Sequence, residues 1–387
     1  MAAEIDLVCG ESMTAVVCYG PRDYRLEIVP KPTLQDPGEV LLRVLAVGIC
    51  AGDSKCYAGA DHFWKPGEYG ESYCQPPVIP GHEFVGEVVE IQEGDRGTTQ
   101  ETDKTSLNNK PWTIGDWVTV EQLVPCTSCR YCKRGHYNMC MPHDIFGFRQ
   151  KAFGAMAEFV KIPKNALIHG PLSKQTLPQH LAFCEPLACA VHAANRADVG
   201  FDDVVVVSGC GPIGLGALAA CRRKNPKTLI ALDRFPRKLE VAKKCGADVV
   251  INVAEEDAIA IVKSLTEGYG CDKYIEAAGH PGSVVQGLQM IARKGVFVEY
   301  AVFGTQVTAD WTVISDAKEI EIRGGHLSPN TFAPAIRLLQ EMPLADIVTH
   351  VLPFTQFQEG FRLVDASSES IKVVLVPPSN PAGDSAV

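Results

Sequence analysis

The sequence predicts an α/β chain in which a β-rich domain is interrupted by a doubly wound, parallel-sheet domain. Three observations predict it. Roughly the first 165 residues alternate apolar and polar positions over short runs separated by Gly and Pro, the pattern of antiparallel strands. From Leu177 the pattern becomes one of continuous apolar runs alternating with helical periodicity, which suits a parallel sheet covered on both faces. The last 60 or so residues then return to strand-like runs.

Taken in order, TAVVCYG, RLEIV and GEVLLRVLAVGIC read as strands, and the turn VIPGHE (residues 78–83) leads into another, FVGEVVEI. The polar stretch EGDRGTTQETDKTSLNNKPW (residues 93–112) carries no periodicity and reads as a surface loop. LPQHLAFCEPLACAVHAANRA has helical spacing, and DDVVVVSG is an apolar run fit for a fully buried parallel strand. Helices and strands then alternate through PIGLGALAACRRK, TLIALD, PRKLEVAKKCGA, DVVINV, DKYIEAAG, SVVQGLQMIAR and GVFVEYAVFG, and this unit ends near residues 304–323. DIVTHVLPF and IKVVLVPP are strand-like, and the tail SNPAGDSAV is polar and frayed. The expected domains are 1–185, 186–323 and 324–387, the last completing the first. There are no internal repeats.

At 387 residues the chain suits two domains, and 46% hydrophobic against 21% charged residues supplies large cores. A formal net charge of −10 argues against nucleic acid or an anionic membrane as partner. No apolar run approaches the roughly 20 residues of a membrane span. The start, MAAEIDLVCGESM, lacks the basic end and apolar core of an export signal, so a cytoplasmic protein is expected. Fifteen cysteines, an odd number, do not make a secreted disulfide framework. Ten are scattered, Cys9, Cys18, Cys210, Cys221 and Cys245 among them, and read as small buried apolar residues.

The run DDVVVVSG enters Gly209-Cys210-Gly211-Pro212-Ile213-Gly214, a G-x-G-x-x-G that opens a helix. Glycines there permit the tight turn, close backbone approach to a pyrophosphate, and helix–strand packing, while the helix N-terminus offers N–H groups to phosphate. Alone the motif is weak, but here a strand precedes it, a helix follows, and Asp233 ends the next strand nineteen residues after Gly214. A carboxylate there accepts from ribose hydroxyls and repels a 2′-phosphate, so NAD is favoured over NADP, with Arg234 weakening the preference slightly.

CTSCRYCKRGHYNMC (residues 126–140) places Cys126, Cys129, Cys132 and Cys140 at spacings that close a tetrahedral Zn–S4 site, with Gly135 as a turn inside the lobe. Four thiolates leave no open position, so that ion is structural. Cys50 in GICAGD, His82-Glu83 in PGHEF and Glu185 in FCEPLACA are individually unremarkable, yet thiolate, imidazole and carboxylate together are what an open zinc site uses. Their spacing alone does not link them.

GICAGD, GHEFVGEV, the four-cysteine lobe, FGAMAEFV, EPLA and GCGPIG occur in the same order as in the zinc-dependent medium-chain dehydrogenases, and the chain resembles that family over nearly its whole length. The resemblance implies a GroES-like catalytic domain interrupted by a Rossmann NAD-binding domain, with NAD in the cleft. It implies two zinc ions per chain. One is catalytic, with Cys50, His82 and Glu83 around it and Glu185 as direct or water-mediated ligand; the other is structural, in the lobe. It also implies that Lys238 contacts the cofactor ribose, and that the protein is a homotetramer, with a dimer as the alternative. Glu185-Pro186-Leu187-Ala188 is more similar to the polyol branch (sorbitol, butanediol and tetritol dehydrogenases) than to simple-alcohol dehydrogenases. The expected activity is therefore reversible oxidation of a secondary hydroxyl of a small polyol. Oxidation of L-threonine is the nearest alternative, and a non-catalytic NAD-binding sensor or structural protein the alternative of a different class. The segment CYAGADHFWKPGEYGESYC (residues 56–74) is a candidate rim of the substrate mouth, packing on its own domain being the competing reading. The chain departs from the family at Gly52 and Lys55, where a Ser or Thr relay and a His usually stand. A water chain anchored by Lys55 or Ser54 is the expected substitute.

Overall fold

The computed structural model describes residues 11–66, 71–94 and 112–378. Most of the loop expected over 93–112, the tail SNPAGDSAV and Cys9 lie outside the described residues. The chain forms two compact units, Met1–Glu185 with His350–Val387, and Pro186–Thr349.

The first unit is β-rich. Its seven-stranded sheet places Lys372–Val376 beside Val40–Gly48, followed by Glu83–Ile91, Trp117–Val120 and Ile168–His169. The expected strands are present; Val40–Gly48 lies between neighbouring strands and is buried along its length except at Arg43, which pairs with Glu87 on the neighbouring strand. Antiparallel register sets Gly48 opposite Glu83, a pairing that positions the site below. Helix Phe357–Ala366, not anticipated from the sequence, packs on helix Ala51–Ala58, with the Phe361 ring stacked on Tyr57 at 4.9 Å.

The second unit is a Rossmann-type parallel sheet in the order Val249–Asn252, Thr228–Asp233, Val204–Ser208, Cys271–Glu276, Ile291–Glu299, Glu321–Gly324. Its core is built from Val206, Ile230, Leu232, Tyr274 and Phe297. The order reverses at Val204–Ser208, the switch point beside which such sheets bind ligands at their carboxyl ends.

The sequence expectation places 324–387 with the first domain, but 324–349 belong to the second unit. The reason is specific contact. Thr331 Oγ1 donates to the Ala188 carbonyl at 2.8 Å, Lys244 pairs with Asp346 at 2.7 Å, and Arg223 pairs with Glu341. Helix Phe332–Leu339 carries the buried apolar face that requires such a partner. The region expected as one helix from Leu177 is two, Pro178–Leu181 and Cys184–Ala197.

Candidate functional site

Strand Val40–Gly48 delivers Cys50 to the N-cap of helix Ala51–Ala58. Its Sγ accepts from the Gly52 N–H at 3.3 Å, and the Asp53 carboxylate accepts from the Cys50 N–H at 3.0 Å, closing a capping box. Because Gly48 pairs with Glu83, the start of the next strand brings His82 and Glu83 to the same place. The ligand atoms of Cys50, His82 and Glu83 all lie within 4.8 Å of one another. The sequence does not show this convergence; strand register produces it.

Lys372 holds Glu83. Its ammonium is paired with the Glu83 carboxylate and donates to the Ile49 carbonyl at 2.9 Å, and both side chains are almost completely buried. A Cβ on Gly48 would lie 2.3 Å from Glu83 Oε2 and 2.7 Å from Lys372 Cε, so glycine is required for the pair to form. Neither Lys372 nor Asp53 stands out in the sequence. For Asp53 the signal is its place three residues after a helix-capping Cys50; for Lys372 there is none, since it reaches the site from the far end of the chain.

Burial first, then the nearby Glu83 charge, raises the Cys50 thiol, against the lowering effect of His82. Burial also raises Asp53. Burial alone would lower His82, but Asp53, Cys50 and Glu185 outweigh it and hold the imidazole well above its ordinary value. Asp53 Oδ1 and His82 Nδ1 lie 3.6 Å apart, and neither has a hydrogen-bond partner among the described residues. A buried set of thiol and carboxylates around one imidazole is what a divalent cation stabilises, and the S, N and O donors suit zinc. These residues fit the ion.

Glu185, buried in the first turn of Cys184–Ala197, is near enough to act on His82 but does not join the three-residue cluster. Lys55 is half-buried, further along the helix that Cys50 caps. At Gly52 a Cβ would make ordinary contacts, 3.6 Å from Cys50 Sγ and 3.8 Å from the Phe63 ring, so nothing steric forbids a relay hydroxyl there.

The sulfurs of Cys126, Cys129, Cys132 and Cys140 also lie within 4.8 Å of one another; a zinc tetrahedron at 2.3 Å has edges of about 3.8 Å. The chain lowers two of these thiols and raises the other two, Cys132 and Cys140. The Ser128 hydroxyl, with backbone N–H groups, lowers the Cys126 thiol to about 6, and N–H groups lower Cys129. Burial pushes Cys140 up to about 12. Gly135, at φ +81°, turns the lobe where an L side chain would be strained. The scattered cysteines among the described residues, Cys18, Cys210, Cys221 and Cys245 included, are buried as expected.

In the second unit Gly209 has φ +94°, and a Cβ there would lie 2.7 Å from the Ala278 backbone. A Cβ on Gly214 would strike the Gly209 carbonyl, whereas one on Gly211 meets nothing within 4 Å. The turn is thus packed at its first and third glycines and open at its second, where a pyrophosphate needs backbone approach. Pro212 and Ile213 start helix Pro212–Arg222. Asp233 accepts from the Cys210 N–H at 2.7 Å and the Phe235 N–H at 2.9 Å, with a lone pair on each oxygen left for ribose hydroxyls. Lys238 is buried, its ammonium 5.1 Å from the Phe235 ring centroid and lowered by burial; the Arg234 guanidinium lies over the same ring at 4.7 Å.

Two family models match the chain, the alcohol dehydrogenase GroES-like domain over residues 36–172 and the zinc-binding dehydrogenase over 212–341. The erythritol/L-threitol dehydrogenase of Mycolicibacterium smegmatis is 49% identical, covering 95% of this chain and 98% of its own. An L-threonine 3-dehydrogenase of Caldanaerobacter subterraneus is 35% identical, covering 88% and 92%. Among solved structures, an alcohol dehydrogenase of Escherichia coli CFT073 in complex with NADH is 25% identical with a TM-score of 0.78, covering 95% and 100%.

Proposed function

The chain belongs to the zinc-binding alcohol dehydrogenase family and is a zinc-dependent dehydrogenase of its polyol branch; from that premise we propose that it oxidises a secondary hydroxyl of a short polyol, a tetritol foremost, with NAD as acceptor. The observation that carries the reading is the 49% identity to an erythritol/L-threitol dehydrogenase across nearly both chains. The gathering of Cys50, His82 and Glu83 supports it.

Cys50, His82 and Glu83 would hold the catalytic zinc, with Glu185 beside them as a further carboxylate, and the four-cysteine lobe a structural one. Bound there, zinc supplies Lewis acidity and NAD a hydride acceptor. The chain's own groups do the rest. The Asp53 charge, 3.6 Å from His82 Nδ1, acts on the imidazole through space, and Lys372 balances the buried Glu83 charge. Lys55 Nζ, with a water chain through the space left by Gly52, carries the proton of the hydroxyl to solvent. Gly211 admits the pyrophosphate, and Asp233 accepts from the adenosine ribose, which supports NAD over NADP; Lys238 lies on the same side. Among the described residues no helix is long and apolar enough to cross a membrane. We place the enzyme in the cytoplasm as a homotetramer, on the strength of the family resemblance.

The test is NADH formation across three- to six-carbon polyols of defined stereochemistry, with L-threonine alongside. Turnover of erythritol or L-threitol above the longer polyols is expected. Activity on L-threonine and on no polyol would overturn the proposal. Lys55→Met should change the pH profile of turnover, and an unchanged profile would remove the lysine from the relay.

A further inference from the structure

Rings beside the cluster form a continuous wall. The Phe148 ring lies 5.6 Å from His82, stacks with Phe63 at 5.5 Å, and meets Tyr73 edge-on at 5.1 Å. Phe63 also meets Tyr73 edge-on at 5.5 Å, and its ring borders the space above Gly52 and Cys50 Sγ. Backbone bonds fix the wall: Cys74 N–H donates to the Phe63 carbonyl and Gln75 N–H to the Phe148 carbonyl, each at 2.9 Å. Tyr73 therefore sits one ring beyond His82, held on both sides by main chain.

Behind it stands Arg149, largely buried, whose charge acts on both Tyr73 and His143. Glu71 meets that guanidinium at 3.3 Å and also accepts from Gln75 at 2.9 Å, which leaves the end of the wall polar without a net charge. Burial keeps the Tyr73 phenol well above its ordinary value, the Arg149 charge opposing and Cys50 reinforcing it, so the group stays a neutral O–H donor. An apolar wall that ends in one hydroxyl is how a pocket reads position along a polyhydroxy chain.

We propose that Tyr73 is a specificity-determining residue, its phenol hydrogen-bonding a polyol hydroxyl remote from the one oxidised, with Arg149 fixing the phenol and Glu71 matching the site to an uncharged polyol. This rests on the polyol reading above. A site that hydrogen-bonds a substrate hydroxyl rejects analogues lacking it, because its own polar group is left unpaired.

Tyr73→Phe in the zinc-loaded full-length enzyme tests it. The KM for erythritol should rise about tenfold or more while kcat stays within about threefold, a loss of uniform binding. Butane-2,3-diol, which lacks the terminal hydroxyls, should show no change in KM or, if turned over slowly, in competitive Ki. Zinc content and unfolding midpoint should match wild type. An unchanged KM for erythritol, or an equal rise for the diol, overturns the assignment and leaves Tyr73 a packing residue. Wild-type enzyme inactive on every polyol would instead sink the functional reading itself, and this proposal with it.

Discussion

Lys372→Met should expose how strongly the metal cluster depends on one buried ammonium. The substitution keeps the length and apolar stem of the side chain but deletes the pair with Glu83 and the bond to the Ile49 carbonyl. Both partners are nearly inaccessible, so water cannot replace the lost charge. Removing one member of such a pair costs about 3–5 kcal/mol. At roughly 2–4 °C per kcal/mol for a unit of this size, that is a fall of roughly 6–20 °C in unfolding midpoint. The loss should be largest after chelation, when Glu83 has no cation at all. Adding zinc should then restore more of the midpoint in the variant than in wild type, because the ion becomes the carboxylate's partner. Scanning calorimetry of both proteins, chelated identically and then titrated with zinc, measures this. A chelated variant within about 2 °C of wild type would refute the view that Lys372 carries the Glu83 charge.

Gly211→Ala should fold as wild type, since a Cβ there meets nothing, yet bind NADH at least about tenfold more weakly by fluorescence titration because the methyl enters the pyrophosphate's path. Gly209→Ala should instead lower the unfolding midpoint, since the Cβ strikes the Ala278 backbone at positive φ. Glu299, opposite Glu276 in the parallel sheet, is pushed up to about 8, by burial first and then by the Glu276 charge. Its folded form holds the proton more tightly than an unfolded carboxyl at 4.5, so its stabilising share is intact below 4.5 and is lost as pH rises toward 8. Glu299→Gln should flatten the fall in stability over that window, as read from unfolding midpoints at pH 5 and 8.5.

Much of the architecture is legible in the residues because it depends on local pattern. Alternation predicts the strands around Val40–Gly48, the run VVVVS reads as a buried parallel strand, and the four-cysteine lobe is self-contained within fifteen residues. What depends on register is not legible. Nothing in the sequence says that Gly48 faces Glu83, so Cys50, His82 and Glu83 join only through resemblance until the sheet is seen. Lys372 is hidden for the same reason. Helices Phe332–Leu339 and Phe357–Ala366 pass unnoticed among short strand-like runs, and missing the first misplaces residues 324–349, whose partners Ala188, Arg223 and Lys244 lie far back along the chain. Tyr73 belongs to a segment whose aromatic content is visible in advance, but the ring contacts that join it through Phe148 to His82 are seen only in the folded chain.

The sulfur of Cys50 has two employers. It terminates a helix by accepting the Gly52 N–H, and in the proposed centre it would also be a donor to the cation. A cation held there would draw electron density away from that N–H, so metal occupancy and the tightness of the helix's opening turn would be thermodynamically linked. Amide exchange at Gly52 would accordingly report how fully the centre is loaded, even where no substrate is turned over.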